Sequence, residues 1–412
     1  MVAARRGCAA CPERPRGKIL KILNFTRSLP PPCDGGMLYG YNIISRFPAG
    51  SVVTHTALSD PVVELAHDRQ FPHRVLRSRG LNPPQRAARA GTVSRVWPWI
   101  WWPAGALRLI LRERPDVVYL AQFNGAAMGV MAAKRMLGTP YLLIAYAHEA
   151  AIRIRWRTAY FLAAARSADA ILTVCEFTRR LLVAKGVAPE RIHKVLPPVG
   201  EEKRTAVEIQ DLEPTRRQYG LEGRKLLFTA GRLGPGKGHD RLLAVLPQIA
   251  RAVPSVTYVI AGSGREEPRL RETAARLGLD SRVRFAGQVS DRELSALYEL
   301  CDVFVLPNYT VPETGYVEGC PTVLLEAAAH GKPSIAGNSG GTEDAVLDGQ
   351  TGFIVDTSDA GALAGAVVRL LADPERARRM GEAGRKYVGD MTPGRAAAAV
   401  WEITEKITAN HP

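Results

Sequence analysis

The sequence predicts an α/β protein built from two facing Rossmann-like β/α/β domains with a cleft between them. Apolar runs of strand length alternate with amphipathic segments of helix length along nearly the whole chain, the order that builds a parallel sheet covered by helices. The alternation breaks at VLPPVGEEKR (195–204), where two prolines and a glycine mark a linker. At 412 residues the chain exceeds one ordinary core and suits two domains of roughly 200 residues.

KILKILNF (18–25) is the first buried strand, followed by the turn-rich SLPPPCDGG and the helical spacing of MLYGYNIISRF. DVVYLAQF (116–123) and TPYLLIAYAHE (139–149) repeat the strand pattern around the helix MGVMAAKRMLG, and ADAILTVCEF (168–177) runs into the helix TRRLLVAKG. After the linker come strand RKLLFTAG, helix DRLLAVLPQIARAV, strand SVTYVIAGSG, helix PRLRETAARLG, strand RVRFAGQV, helix DRELSALYEL, strand CDVFVLP, helix TVLLEAAAHG and strand KPSIAGN. The closing PGRAAAAVWEITEKIT (393–408) is helical and stands alone, placed to cross back onto the first domain. The expected limits are a disordered N-terminus at 1–16, a first domain of 17–196 plus 392–412, and a second of 197–391.

A content of 46 % apolar and 23 % charged residues is that of a folded soluble protein. The net charge of +15 sits wholly in the first half, where residues 1–200 hold 29 Lys/Arg against 11 Asp/Glu. Such asymmetry suits an anionic partner, whether membrane surface, nucleic acid or acidic substrate, or else a solvated basic surface on an arginine-rich chain. No nucleic-acid recognition module appears, so nucleic acid is not expected. Cys8 and Cys11 form a CxxC with no second pair or histidine cluster at zinc-ligand spacing; no metal site is expected, and the remaining cysteines read as buried thiols of a reducing compartment. MVAARRGCAACPERPRGK lacks the apolar segment of a secretory signal, and no run of about 18 apolar residues occurs, so the expected address is cytoplasmic.

Candidate chemistry gathers at the strand ends facing the cleft, where such folds bind ligands. In GRLGPGKG (231–238) glycines frame Arg232 and Lys237, which suits either a metal-free diphosphate clamp or a solvated turn. In EGCPTVLLEA (318–327), Pro321 suits the first helical position, placing an anion-binding helix start near 321–323. Glu318 then stays in the loop ahead, and Glu326 lies about 7 Å along the helix. A diphosphate at the helix start would have a carboxylate on each side, as a nucleotide-sugar requires; the plainer alternative is a pair of helix-end or surface carboxylates. Gly340-Gly341 in SGGTEDAV precedes a helix that Thr342 could cap, or presents N–H groups to phosphate. In the first domain Gly35 and Gly36 follow the first strand, and His148 with Glu149 ends strand 141–147, where a histidine is either structural or faces the cleft.

These segments, with CEFTRRLL, VIAGSG and VRFAGQVSDRELSALYELCDVFVLP, resemble family 4 of the retaining glycosyltransferases, which have the GT-B fold. The resemblance covers roughly 17–408 and is dense from 226 to 356. It implies a first domain that binds the acceptor and a second that binds the nucleotide-sugar. It implies that Glu318 contacts donor sugar hydroxyls, Glu326 the ribose, Arg232 and Lys237 the diphosphate, and His148 the transferred sugar. Gly35 and Gly36 match the family's glycine loop, Gly262 and Gly264 the nucleotide side, Val289 the loop against the base, and Gly319, Pro321, Thr322 and Val323 the donor-facing helix start. Departures are Gly319-Cys320-Pro321 where the family often has Gly-Phe-Gly, Glu149 directly after His148, and PPVGEE in the linker.

The implied reaction moves a hexose, with retention, from GDP-mannose or a UDP-sugar to an acceptor hydroxyl on a lipid-linked or cell-envelope glycan. No D-x-D occurs, in keeping with a metal-independent site needing no cofactor beyond the donor substrate. VSRVWPWIWWPAGALRLILRER (93–114) sets four of six tryptophans beside arginines, an interfacial signature or else core aromatics under a helix. With the basic first half, this favours peripheral attachment to the inner face of the cell membrane. The alternatives are an enzyme like the GT-B nucleotide-sugar 2-epimerases, and a non-catalytic nucleotide-sugar or lipid-binding protein.

Overall fold

The computed structural model describes residues 19–411 apart from 27–28, 30–34, 58–65, 79–91, 152–154 and 204–208. The expected disordered N-terminus, the Cys8/Cys11 pair and the side chains of Trp97, Trp99 and Trp101 lie outside the described residues.

The first sheet contains β1 (Ile22–Phe25), β2 (Val52–Ala57), β3 (Arg74–Ser78), β4 (Val117–Leu120), β5 (Tyr141–Ala145), β6 (Ala170–Thr173) and β7 (Ile192–Lys194), in the order β3-β2-β1-β4-β5-β6-β7. The second contains β8 (Lys225–Ala230), β9 (Val256–Ala261), β10 (Val283–Gly287), β11 (Val303–Leu306), β12 (Ser334–Gly337) and β13 (Gly352–Val355), ordered β10-β9-β8-β11-β12-β13. Neighbouring strands run parallel, Ile22 pairing both Val52 and Val117, and Phe304 pairing both Phe228 and Ser334. The central strands ILNF, VVYL, YLLIA and VFVL are buried at every residue, as parallel strands covered on both faces must be. Strand order reverses between β1 and β4 and again between β8 and β11, which places a ligand crevice beyond the carboxyl end of each pair.

The sequence pattern misses β2, β3, β7 and β13. β2 reads VVTHTA, with polar Thr54, His55 and Thr56 inside it, and β3 is an edge strand opening on an exposed arginine, so neither forms an apolar run. Helices Arg155–Ser167, Ala360–Ala372 and Pro374–Tyr387 are likewise unexpected from the pattern; in the first and third, charge interrupts the apolar stripe.

The closing helix Pro393–Ala409 does cross back. Trp401 meets Phe47 edge-to-face at 5.0 Å, and the Tyr119 and Thr404 hydroxyls are hydrogen-bonded in the first domain's core. Where the two crossing segments pass, the Val199 amide donates to the Met391 carbonyl at 2.9 Å. One apolar cluster joins Tyr146, Val174 and Cys175 of the first domain to Cys320, Ala345 and Val346 of the second.

Candidate active site

The carboxyl ends of β8 and β11 supply the two walls of the second crevice. Beyond β8, the chain turns through Gly231, Gly236 and Gly238, all at positive φ, before the helix His239–Ala252 begins. Gly238 could carry no side chain, since a Cβ there would sit 1.9 Å from the Pro307 carbonyl oxygen. This close approach packs the cationic loop against the segment beyond β11. The tie continues at Tyr309, whose amide donates to the Gly236 carbonyl at 2.8 Å and whose ring lies under Arg241 at 4.2 Å.

Lys237 reaches across this seam to Glu318, Nζ to Oε1 2.5 Å, with both side chains largely buried. The Tyr316 hydroxyl donates to the same Oε1. Eight residues on, Glu326 is half-buried on helix Thr322–Ala329, and its Oε2 accepts from the Tyr298 hydroxyl at 3.0 Å. Tyr298 is itself in the core, stacked on His330 at 5.2 Å, and burial followed by the Glu326 charge pushes its phenol well above the usual range. Both carboxylates are thus held from behind by tyrosine hydroxyls, which stay protonated donors at any working pH.

Pro321 stands at the cap, not at the first helical position. Its ψ of 103° is extended, as a cap residue requires, and the helix starts at Thr322. Thr322 and Val323 flank this start half-buried, with Glu326 one turn further on.

Gly340 and Gly341 pack behind Glu318. A Cβ on Gly340 would lie 1.9 Å from the Glu318 carbonyl oxygen, and the Gly341 amide donates to that oxygen at 3.2 Å. That N–H is therefore spent inside the protein. Thr342 does not cap a helix with its side chain. It donates to the Ser339 carbonyl at 2.8 Å and accepts from buried Asn308 at 3.0 Å, and the helix it opens is a single 3-10 turn, Thr342–Asp344.

Gly262 and Gly264 pack against the cationic loop: side chains there would strike the carbonyl oxygens of Gly231 and Leu233 at 1.9 and 2.2 Å. Arg232 is exposed at the loop's mouth, and Val289 is half-buried beyond β10.

In the first domain His148 is exposed on the short helix Ala147–Ala150 that follows β5, while Glu149 is buried. Glu149 accepts from the amides of Phe123 and Tyr146, both at 3.0 Å, and so ties the ends of β4 and β5 together. The departure at this position is a brace behind His148. Gly35 and Gly36 open the helix Gly35–Ile44 that follows β1. The domains meet beside His148: a Cβ on Gly319 would lie 4.0 Å from Ala147 and 3.5 Å from Val174. Asp344 fastens the contact, accepting from Lys194 at 2.8 Å and from the Glu176 amide at 2.5 Å. Among the described residues, no group of three or more His, Cys, Asp or Glu could share a metal ion, and Cys175, Cys301 and Cys320 are buried thiols.

The model for Glycosyltransferase Family 4 matches residues 62–203 and that for Glycosyl transferases group 1 matches 211–387. Together the two glycosyltransferase models take in most of the chain, one in each half. Its fold is GT-B, shared with the UDP complex of Anabaena Alr3699/HepE at a TM-score of 0.77 and 18 % identity, over 94 % of this chain and 100 % of that one. Sucrose-phosphate synthase from Thermosynechococcus elongatus is similar in fold at 0.76 and 20 %, over 95 % and 100 %. By sequence the chain is 39 % identical, over 54 % of its own length and 58 % of the relative's, to the GDP-mannose-dependent alpha-(1-6)-phosphatidylinositol monomannoside mannosyltransferase of Mycolicibacterium smegmatis. It is 29 % identical, over 94 % of its length and 97 % of the relative's, to the GDP-mannose-dependent monoacylated alpha-(1-6)-phosphatidylinositol monomannoside mannosyltransferase of Corynebacterium glutamicum.

Sequence reasoning missed Tyr298, Tyr316, Asn308, Asp344 and the part played by Glu149. Tyr316 had a signal, lying two residues before Glu318; the others act through contacts between residues distant in sequence.

Proposed function

We propose that the protein transfers mannose from GDP-mannose to a hydroxyl of a phosphatidylinositol mannoside-type lipid, with retention and without a metal. The observation that carries this reading is the crevice beyond β8 and β11, where Lys237, Glu318 and Glu326 converge on a helix start. A helix start with a lysine beside it is a diphosphate site, and the Lys237 ammonium has three donors, so its bond to Glu318 leaves two for phosphate oxygens. Glu326, steadied by Tyr298, is placed for ribose hydroxyls, and Glu318 for those of the sugar. As the sugar bond breaks, negative charge grows on the diphosphate where these cations and N–H groups already point, so stabilisation rises in the transition state. His148 would face the transferred sugar from the first domain. Neither glutamate acts as nucleophile; each positions hydroxyls.

The acceptor reading is supported by the two mannosyltransferase relatives and by one face of the first domain. There Leu111, Met128, Met136, Leu137 and Trp156 are exposed among the exposed arginines 108, 112, 135 and 155, a mixture suited to an anionic membrane surface. No described helix is long and apolar enough to cross a membrane. Trp102 is instead half-buried, packed against the apolar cluster that contains Ile110 and Val130.

The test incubates the protein with GDP-mannose and phosphatidylinositol monomannoside in vesicles, then determines the anomeric configuration of the new linkage by NMR. An α-linked product supports the reading. Epimerised free sugar without acceptor would instead establish the isomerase alternative.

A further inference from the structure

The segment between β11 and the Glu318 loop is not a passive connection. It folds back on itself, with Val311 and Tyr316 bridged antiparallel, and is pinned at its base by the Tyr309–Gly236 hydrogen bond and by Thr310 Oγ1 to Ser339 Oγ at 2.9 Å. This delivers the Tyr316 ring onto Gly236. A Cβ on Gly236 would lie 2.4 Å from the ring, so the glycine is what lets an aromatic press against the cationic loop. From there the hydroxyl reaches Glu318 Oε1, the oxygen Lys237 also holds. Two donors on one oxygen restrain the carboxylate's rotation, and neither of these bonds uses Oε2. Burial, and then the Glu318 charge, push the Tyr316 phenol far above its usual range, so the donor is never lost by ionisation.

Building on the donor-site reading above, we propose that Tyr316 is a positioning residue for donor-sugar selection: it orients Glu318 so that Oε2 reads the sugar hydroxyls, while contributing nothing to binding of the nucleoside diphosphate. A ring locked on Gly236 and a hydroxyl locked on Oε1 leave the carboxylate one orientation. Lys237 alone would leave it several, since an ammonium on a flexible stem imposes little direction. Sugars differing in the stereochemistry of one hydroxyl would then be distinguished less well.

The experiment compares the wild type with Tyr316→Phe, which keeps the ring on Gly236 and removes the hydroxyl. GDP affinity is measured by titration calorimetry, and kcat/KM for GDP-mannose and for GDP-glucose by transfer assay. The expected result is GDP affinity within about twofold of the wild type and a mannose-over-glucose preference reduced about tenfold, the size of one hydrogen bond to a charged group. An unchanged preference overturns the proposal, and so does a parallel loss of GDP and GDP-mannose affinity, which would make Tyr316 a merely structural support. Tyr316→Leu serves as second variant, and an unaltered preference there overturns the proposal equally. If the wild type binds no GDP at all, the donor-site reading falls with it, and that outcome is separate from a wild type that binds and a variant that discriminates equally well.

Discussion

The crevice beyond β8 and β11 and the crevice beyond β1 and β4 share one topology and differ in how their polar groups are held. In the second domain the groups are charges fixed by other side chains: Lys237 and Tyr316 on Glu318, Tyr298 on Glu326. In the first, the fixed charge is turned inward, Glu149 being consumed by the amides of Phe123 and Tyr146, and the outward group is a histidine on the helix it braces. A site for a diphosphate needs its charges placed in advance, because reorganising them at the moment of reaction costs what the field would otherwise gain. A site that admits an acceptor needs shape and one well-aimed group. On the proposed reading the two halves of the fold separate donor electrostatics from acceptor geometry, and substitutions in each should fail in different ways.

The largest effect should come from the charged half. Lys237→Ala removes a cation from the diphosphate position, and GDP affinity should fall by about 10- to 100-fold in titration calorimetry, the range for a hydrogen bond to a charged group. A loss below threefold would erase the asymmetry between the crevices. Glu149→Ala should show the opposite pattern, costing about 1–3 kcal/mol of stability in urea unfolding because two amides lose their acceptor, with GDP affinity unchanged. Weakened GDP binding in that variant would mean the brace also serves the donor.

Between the halves, Lys194→Ala leaves the buried Asp344 carboxylate with the Glu176 amide but no cation. Lys194 is one-third exposed, so the expected loss is only about 1–2 kcal/mol. It should lower kcat more than GDP affinity, since it loosens the domain contact in which Ala147, beside His148, meets Gly319, beside Glu318. An equal effect on both would place the clasp within the donor site.

A smaller effect sharpens the comparison through pH. Burial pushes His239, the residue after the cationic loop, from 6.5 down to about 3. Because the folded state resists the proton that the unfolded chain takes up, this contribution is intact above pH 6.5. It is lost as pH falls toward 3, by at most about 1.4 kcal/mol per unit. Urea midpoints from pH 7 to pH 5 should decline, and His239→Gln should flatten the slope; an unaltered slope would assign the acid lability elsewhere.

The legible parts of the molecule were those written in adjacent residues. Continuous apolar runs announced the central strands, and glycines at 231–238 and 318–321 announced the loops, because close backbone approach leaves a local mark. The polar edge strands β2 and β3 left none. Gly340-Gly341 read either as the approach to a helix capped by Thr342 or as a phosphate contact, and in the structure it packs behind Glu318, since sequence shows that a side chain is missing but not which atom takes its place. Likewise Glu149 looked like a lapse from the family pattern until the amides it caps, one of them 26 residues away, came into contact with it.

The most direct measurement is thermal stabilisation of the protein by GDP-, UDP- and ADP-sugars, repeated on Glu326→Ala, since a ligand of the folded state raises Tm. The expected result is stabilisation by GDP-mannose that the variant loses. Stabilisation by none of the three classes, or by GDP-mannose equally in both proteins, would contradict the donor site at its centre.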